Sequence, residues 1–199
     1  MLNLYNKLLK SYGKRGWWPL YDSKFKKFVY NSKNPINEKQ KLEICLGAIL
    51  TQGTNWRNVE KALVNLIKNN LISINKLDKI NENKLALLIK SSGYYKQKAR
   101  KIKEFIKFLK SNKKINRENL LSIWGIGQET ADSILLYAYN KPYFIIDNYT
   151  KRIFSKFGYC NENVKYEELQ KLITRKIPKD VNLYKEFHAL LIEHGKSLI

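Results

Sequence analysis

Two cysteines, Cys45 and Cys160, are all that 199 residues contain. They cannot supply the four thiolates of an iron–sulfur cluster. Cys45 lies in an apolar run and reads as a reduced core residue. No long uncharged stretch and no lipidation motif is present, which argues against a membrane. Near the N-terminus, Leu and Tyr are interrupted by Lys7 and Lys10, so a signal-peptide core is lacking. A soluble, cytoplasmic protein is expected. His188 and His194 are six apart, with no Glu or Cys at metal-ligand spacing, and no metal site is expected. There is no internal repeat, low-complexity tract or long linker. Acids are scarce too, 17 against 38 bases, for a formal charge of +21. Such an excess repels the compact state and favours a polyanionic partner.

What is present is an ordinary globular chain, 44% hydrophobic. Its length suits one compact unit or two small lobes sharing a core. The apolar pattern is almost entirely helical. Residues 2–12 form a basic amphipathic segment, Trp17-Trp18-Pro19 a loop, and 22–31 another helix. Asn34-Pro35 breaks the chain. Asn37 caps a helix over 38–51, with Leu42, Cys45, Leu46 and Ile49 on one face. Asn55 caps the next, carrying Val59, Leu63, Leu66 and Ile67. Two short helices fill 75–91. Lys96 to Lys110 sets Ile102, Phe105, Ile106 and Leu109 against a lysine-rich face. Helices over 117–123 and 128–139 follow, then 148–157, 165–175 and 182–197. The abundance of Asn and Lys is given no functional weight.

The most informative stretch is Leu121-Ser-Ile-Trp-Gly125-Ile-Gly127-Gln-Glu129-Thr-Ala, with Asp147 18 residues after Glu129 at the end of Pro142-Tyr-Phe-Ile-Ile-Asp147. Two apolar-periodic segments joined by Gly-Ile-Gly read as helix, tight turn, helix. The turn exposes N–H groups at a helix N-terminus, a ready anion site. In so basic a chain the anion is a nucleic-acid phosphate. Asp147 follows an apolar β-like run, so it is held rigidly. A phosphate grip with a fixed acid nearby suggests chemistry on DNA.

Residues 121–158 resemble the helix-hairpin-helix and Pro/Asp-loop signature of the endonuclease III superfamily of DNA glycosylases. Leu46-Gly-Ala-Ile-Leu-Thr51-Gln52-Gly-Thr54 is similar to its early helix ending in Ser/Thr-Gln-x-Thr. Ser92-Gly93-Tyr94-Tyr95-Lys-Gln-Lys98-Ala99 resembles its Gly-aromatic-x-x-Lys-Ala element, and His188 through His194-Gly195-Lys196 its last helix. Four ordered motifs are far more specific than one Gly-x-Gly. Trp17-Trp18-Pro19 brings the likeness nearest to the 3-methyladenine DNA glycosylases of endonuclease III type. Many relatives carry a four-Cys cluster where this sequence stops, and its absence removes cluster-based DNA contacts from consideration.

The resemblance implies an all-α, two-lobed helix-hairpin-helix glycosylase fold with a central cleft. One lobe is six helices over 35–140, and the other is 1–34 together with 141–199. It implies double-stranded DNA containing a damaged base as partner, a monomer, no required cofactor, and a monovalent cation as an option at the hairpin backbone. Asp147 is implied to stabilise an oxocarbenium-like transition state and to orient or deprotonate water. It also suits a helix N-cap, and both roles can hold. Bifunctional relatives carry a lysine where Glu129 stands, and that amine forms a Schiff base with the sugar. A carboxylate cannot, so a monofunctional enzyme without lyase activity is expected. Lys141, Lys151 and Lys196 are the conceivable substitutes. Glu129 is equally a favourable acid in a first helical turn.

Gly125, Ile126 and Gly127, with Gln128 and Thr130, form the implied DNA clamp, or else an ordinary helix–helix turn. Trp17, Trp18, Pro19 and Trp56, with Lys196 as a weaker candidate, make the implied base pocket. A flipped base needs flat apolar walls, and tryptophan faces attract a cationic methylated purine. Core packing is the competing use of each tryptophan, and Trp124 is assigned to packing outright. Gln52 resembles the side chain that relatives insert into the hole left by the base, or is a surface glutamine. Lys96, Lys98, Arg100, Lys101 and Lys103 form a face for phosphates or simply for solvent. Alternative functions are mismatch excision of thymine, uracil or adenine, a non-catalytic DNA-binding module, and a membrane-surface basic protein.

Overall fold

The computed structural model describes residues 1–30 and 35–198. It is helical apart from one small hairpin, as the all-α reading expects. The break read at Asn34-Pro35 lies partly outside the described residues. The chain divides into two compact units. One joins the N-terminal segment to everything from Asn140 onward, and the other is the stretch between, ending at Tyr139.

The middle unit is organised around α2 (Glu38–Leu50), every residue of which is buried from Leu42 to Leu50. A helix that is apolar on all sides must be enclosed. Its neighbours are α3 (Trp56–Lys68), α6 (Tyr95–Lys110) and a π-helical turn (Ile134–Ala138) that continues α8 (Gln128–Ser133). The short helices α4 (Ile74–Lys79) and α5 (Glu82–Leu88) pack on α6. Between α6 and α8 lies α7 (Arg117–Leu121).

The other unit holds α1 (Leu2–Tyr12), α9 (Asn148–Lys156), α10 (Tyr166–Thr174) and α11 (Val181–Ser197). Its core is aromatic. Phe187 of α11 meets Tyr5, Phe144 and Phe154 at ring-centroid distances of 5.6, 5.6 and 6.5 Å. The extended run Phe144-Ile145-Ile146 leading to Asp147 is completely buried.

The helix expected over 22–31 does not form over its described residues, 22–30, and Asn31 lies outside them. β1 (Leu20–Asp22) pairs antiparallel with β2 (Lys27–Val29), Leu20 opposite Val29. The cause is local. Asp22 Oδ1 accepts from the Lys24 and Phe25 amides at 2.8 and 3.1 Å, and Lys26 takes a positive φ of 52°. An aspartate that bonds its own downstream backbone favours a turn over a helix.

Asn and Asp also set the helix starts. Asn37, Asn55, Asn81, Asn116, Asp147 and Asp180 each accept a backbone N–H at a first turn. Each such cap is worth about 1 kcal/mol. Asn81 and Asn116 thus join Asn37 and Asn55 as caps.

Candidate functional site

Asp147 sits where the buried run 144–146 ends and α9 begins. Its Oδ1 accepts the Thr150 amide at 2.7 Å. Its Oδ2 faces His188 Nε2 of α11 at 3.6 Å, and both side chains are almost wholly buried. Burial alone would push the carboxyl up. The His188 imidazole and the Thr150 amide and hydroxyl together outweigh it and hold the acid below the ordinary carboxylate range. Asp147 is therefore both a helix cap and a dry, ionised carboxylate.

The hairpin lies between α7 and α8. Gly125 turns the chain with φ +80°, and Gly127 is extended at φ −91°. Ile123 and Ile126 anchor the turn in the core. Arg117 of α7 clamps Asp132 of α8, Nε to Oδ1 at 2.8 Å, which ties the two helices together. Gln52, just beyond α2, donates from Nε2 to the Gly125 carbonyl at 3.1 Å and to Thr130 Oγ1 at 2.9 Å. Lys101 Nζ donates to Gln52 Oε1 at 2.5 Å. Both amide hydrogens of Gln52 are thus used, so inserting it into DNA requires these bonds to break. Glu129 is exposed in the first turn of α8.

These two arrangements occur in a chain whose residues 46–179, more than half of it, match the model of the HhH-GPD superfamily of base excision DNA repair proteins. The chain belongs to that superfamily. A Methanocaldococcus jannaschii protein, named provisionally as a DNA repair glycosylase, is 40% identical over 98% of this chain and 86% of its own. Endonuclease III of Thermotoga maritima is 28% identical over 87% of this chain and 79% of its own. Among solved structures, H. pylori 3-methyladenine DNA glycosylase bound to 1,N6-ethenoadenine superposes with TM-score 0.79 and 28% identity, covering 100% of this chain and 96% of that one. A non-covalent endonuclease III–DNA complex shares the fold at 19% identity, TM-score 0.78, over 98% and 84% of the chains.

The remaining candidates of this HhH-GPD chain fall into both units. Trp17, Trp18, Pro19 and Lys196 accompany Asp147, while Trp56 belongs with the hairpin. Trp18 and Pro19 are buried. Trp17 is half-buried, edge-on to Trp18 at 5.4 Å and near Tyr30 at 5.9 Å. Trp56 opens α3, and its Nε1 donates to Glu60 Oε1 at 2.7 Å. Lys196 is exposed in the last turn of α11, eight residues and about 12 Å of helix beyond His188.

Two expectations are corrected. Trp124 does not pack inside. It is 46% exposed, with the Arg100 guanidinium stacked 4.3 Å from its ring centroid. Three of the five residues on the basic face of α6, Lys98, Lys101 and Lys103, are committed to contacts within the protein. Lys98 is buried and donates to the Leu50 and Ser92 carbonyls at 2.8 and 2.6 Å. Lys103 donates to the carbonyls of Leu77, Asp78 and Ile80. The C-terminal carbonyls of α2 and α4 lack intrahelical partners, and these amines supply them. Of the five basic residues, Lys96 and Arg100 are exposed. His188 falls in the segment that resembles the family's last helix and is set aside as a metal ligand, with no role beside Asp147 expected of it. It lies 41 residues from Asp147 in sequence, and nothing in its spacing announces the pairing.

Proposed function

We propose that this chain is a monofunctional DNA glycosylase that removes alkylated purines, 3-methyladenine and its like, from duplex DNA by hydrolysis. The observation that carries this reading is the pairing of a dry, ionised carboxylate at Asp147 with a carboxylate, not an amine, at position 129. Breaking an N-glycosidic bond develops positive charge on the sugar. A fixed anion stabilises that charge and can deprotonate the attacking water. A purine methylated at N3 is already cationic and leaves readily, so a single acid suffices. The half-buried Trp17 offers an aromatic face to such a base. With Glu129 in place of lysine there is no amine at that position to form an imine, and the product is an abasic site. The hairpin holds the phosphates of the damaged duplex, and the enzyme acts as a monomer. The likeness to a 3-methyladenine DNA glycosylase over the whole chain supports the choice of substrate.

The test is base release. The protein is incubated separately with methylated, uracil-containing, thymine-mismatched, adenine-mismatched and oxidised duplexes, with borohydride in a parallel series. Methylated purine release without a trapped covalent complex is expected. Release of neutral mismatched bases with methylated purines left in place overturns the substrate. A stoichiometric borohydride adduct overturns the hydrolytic mechanism.

A further inference from the structure

The two oxygens of Asp147 have different supports. Oδ1 is fixed by the first turn of its own helix, through the Thr150 amide. That bond alone leaves the carboxyl free to pivot about χ2 and to take up a proton. Oδ2 looks across to α11, where the His188 ring stands with Nε2 at 3.6 Å. Helices α9 and α11 are closely packed here, because Gly195 leaves room for the Tyr149 ring and the Arg152 guanidinium reaches the Gly195 carbonyl at 3.3 Å.

We propose that His188 is a positioning residue for base excision: from the neighbouring helix it supports Oδ2, keeping the carboxylate ionised and aimed while it is out of water. This rests on Asp147 being the catalytic acid. Several other charges on the surrounding elements have partners of their own, and Lys156 bears on His194. Lys185 on α11 donates to Asn140 Oδ1 at 2.6 Å. Glu186 accepts from the Arg15 and Gly16 amides, and Glu193 pairs with Arg15 at 3.2 Å. His194 bonds Tyr12, 2.9 Å away. On α9, Arg152 lies over Tyr149, and Lys151 bears on Cys160. From α10, the Tyr166 hydroxyl takes the Ile146 amide at 3.4 Å. What acts on the Asp147 carboxyl is burial, which raises its pKa, and His188 and Thr150, which lower it. With the imidazole gone, burial gains ground, and the acid protonates nearer neutrality.

The experiment follows single-turnover base release from methylated duplex against pH for wild type, His188→Gln and His188→Leu. Duplex affinity and melting temperature are measured on the same samples. In His188→Leu the acid limb should move up by about one pH unit or more, and the loss of aim should separately lower the plateau rate roughly tenfold. His188→Gln retains an N–H donor and should shift less and lose about threefold or less. Affinity should hold for both. An acid limb that stays put in both variants overturns the proposal, as does a uniform loss that tracks melting temperature. Asp147→Asn serves as the control: if it still turns over, the catalytic assignment itself fails.

A second readout needs neither turnover nor a folded His188 variant. The chain has only two histidines. In ¹⁵N-detected spectra, Asp147→Asn should perturb the His188 ring signals while leaving those of His194 unchanged. A His188 signal indifferent to Asp147→Asn overturns the contact.

Discussion

The loop bearing Asp147 and the hairpin between α7 and α8 are built by opposite means. Around Asp147 the protein is complete: the run before it is buried, one carboxylate oxygen caps a helix and the other faces an imidazole. The hairpin is braced from behind by Gln52, Lys101 and the Arg117–Asp132 pair, yet Gly127 and Glu129 lie exposed on it. A group that must hold a charge out of water needs its surroundings fixed beforehand. A surface that takes a backbone needs rigidity behind and open space in front. The two glycines of the hairpin divide these needs. At Gly125 a Cβ would come within 2.6 Å of the Lys101 stem, and its φ is positive. At Gly127 a Cβ would meet nothing within 4 Å. The fold constrains the first glycine and leaves the second unconstrained.

The largest effect should break the comparison on the Asp147 side. Asp147→Asn keeps the cap acceptor and loses the charge. Base release should fall by about 10²–10³-fold or more, with duplex affinity retained. Near wild-type turnover would take Asp147 out of the mechanism. Next come the glycines. Gly125→Ala should cost about 2 kcal/mol of stability from its left-handed backbone and the Lys101 contact. Gly127→Ala should move stability by no more than about 0.5 kcal/mol, yet weaken binding to damaged and undamaged duplex alike. Equal melting curves and equal affinities for the two variants would dissolve the distinction. The smallest effect separates neighbouring rings. Trp18→Leu should act through stability because that ring is buried. Trp17→Leu should leave melting nearly unchanged and slow methylated-purine release by about two- to thirtyfold, the worth of a cation–π contact. Urea melts and single-turnover rates on both variants decide it.

The sequence was legible where the information is local. Gly-Ile-Gly between periodic segments marked the hairpin, and Asn37 and Asn55 marked helix starts that the structure places within a residue. It was illegible where a side chain acts across the chain. Lys98 looks like one more basic residue on α6, because a lysine that caps another helix has no spacing of its own. His188 meets Asp147 only after α9 and α11 have packed. The hairpin at residues 20–29 is hidden in the sequence because each strand is only three residues long, too short to show alternation, while Tyr21, Phe25 and Phe28 fall at helical spacing. The Asx turn at Asp22 decides between them.

Lys98 carries one more consequence. Burial lowers its amine to about 8, so that near neutral pH it is poised to lose its proton. Its low pKa would make it an unusually reactive amine towards an acylating reagent if the reagent could reach it. Its side chain is buried, and its nitrogen is held by two carbonyls. Exposed lysines should acylate first, and Lys98 only when the end of α2 parts from α6. The mass label at this one position then counts openings of the helical core, a clock that the protein carries without any engineered probe.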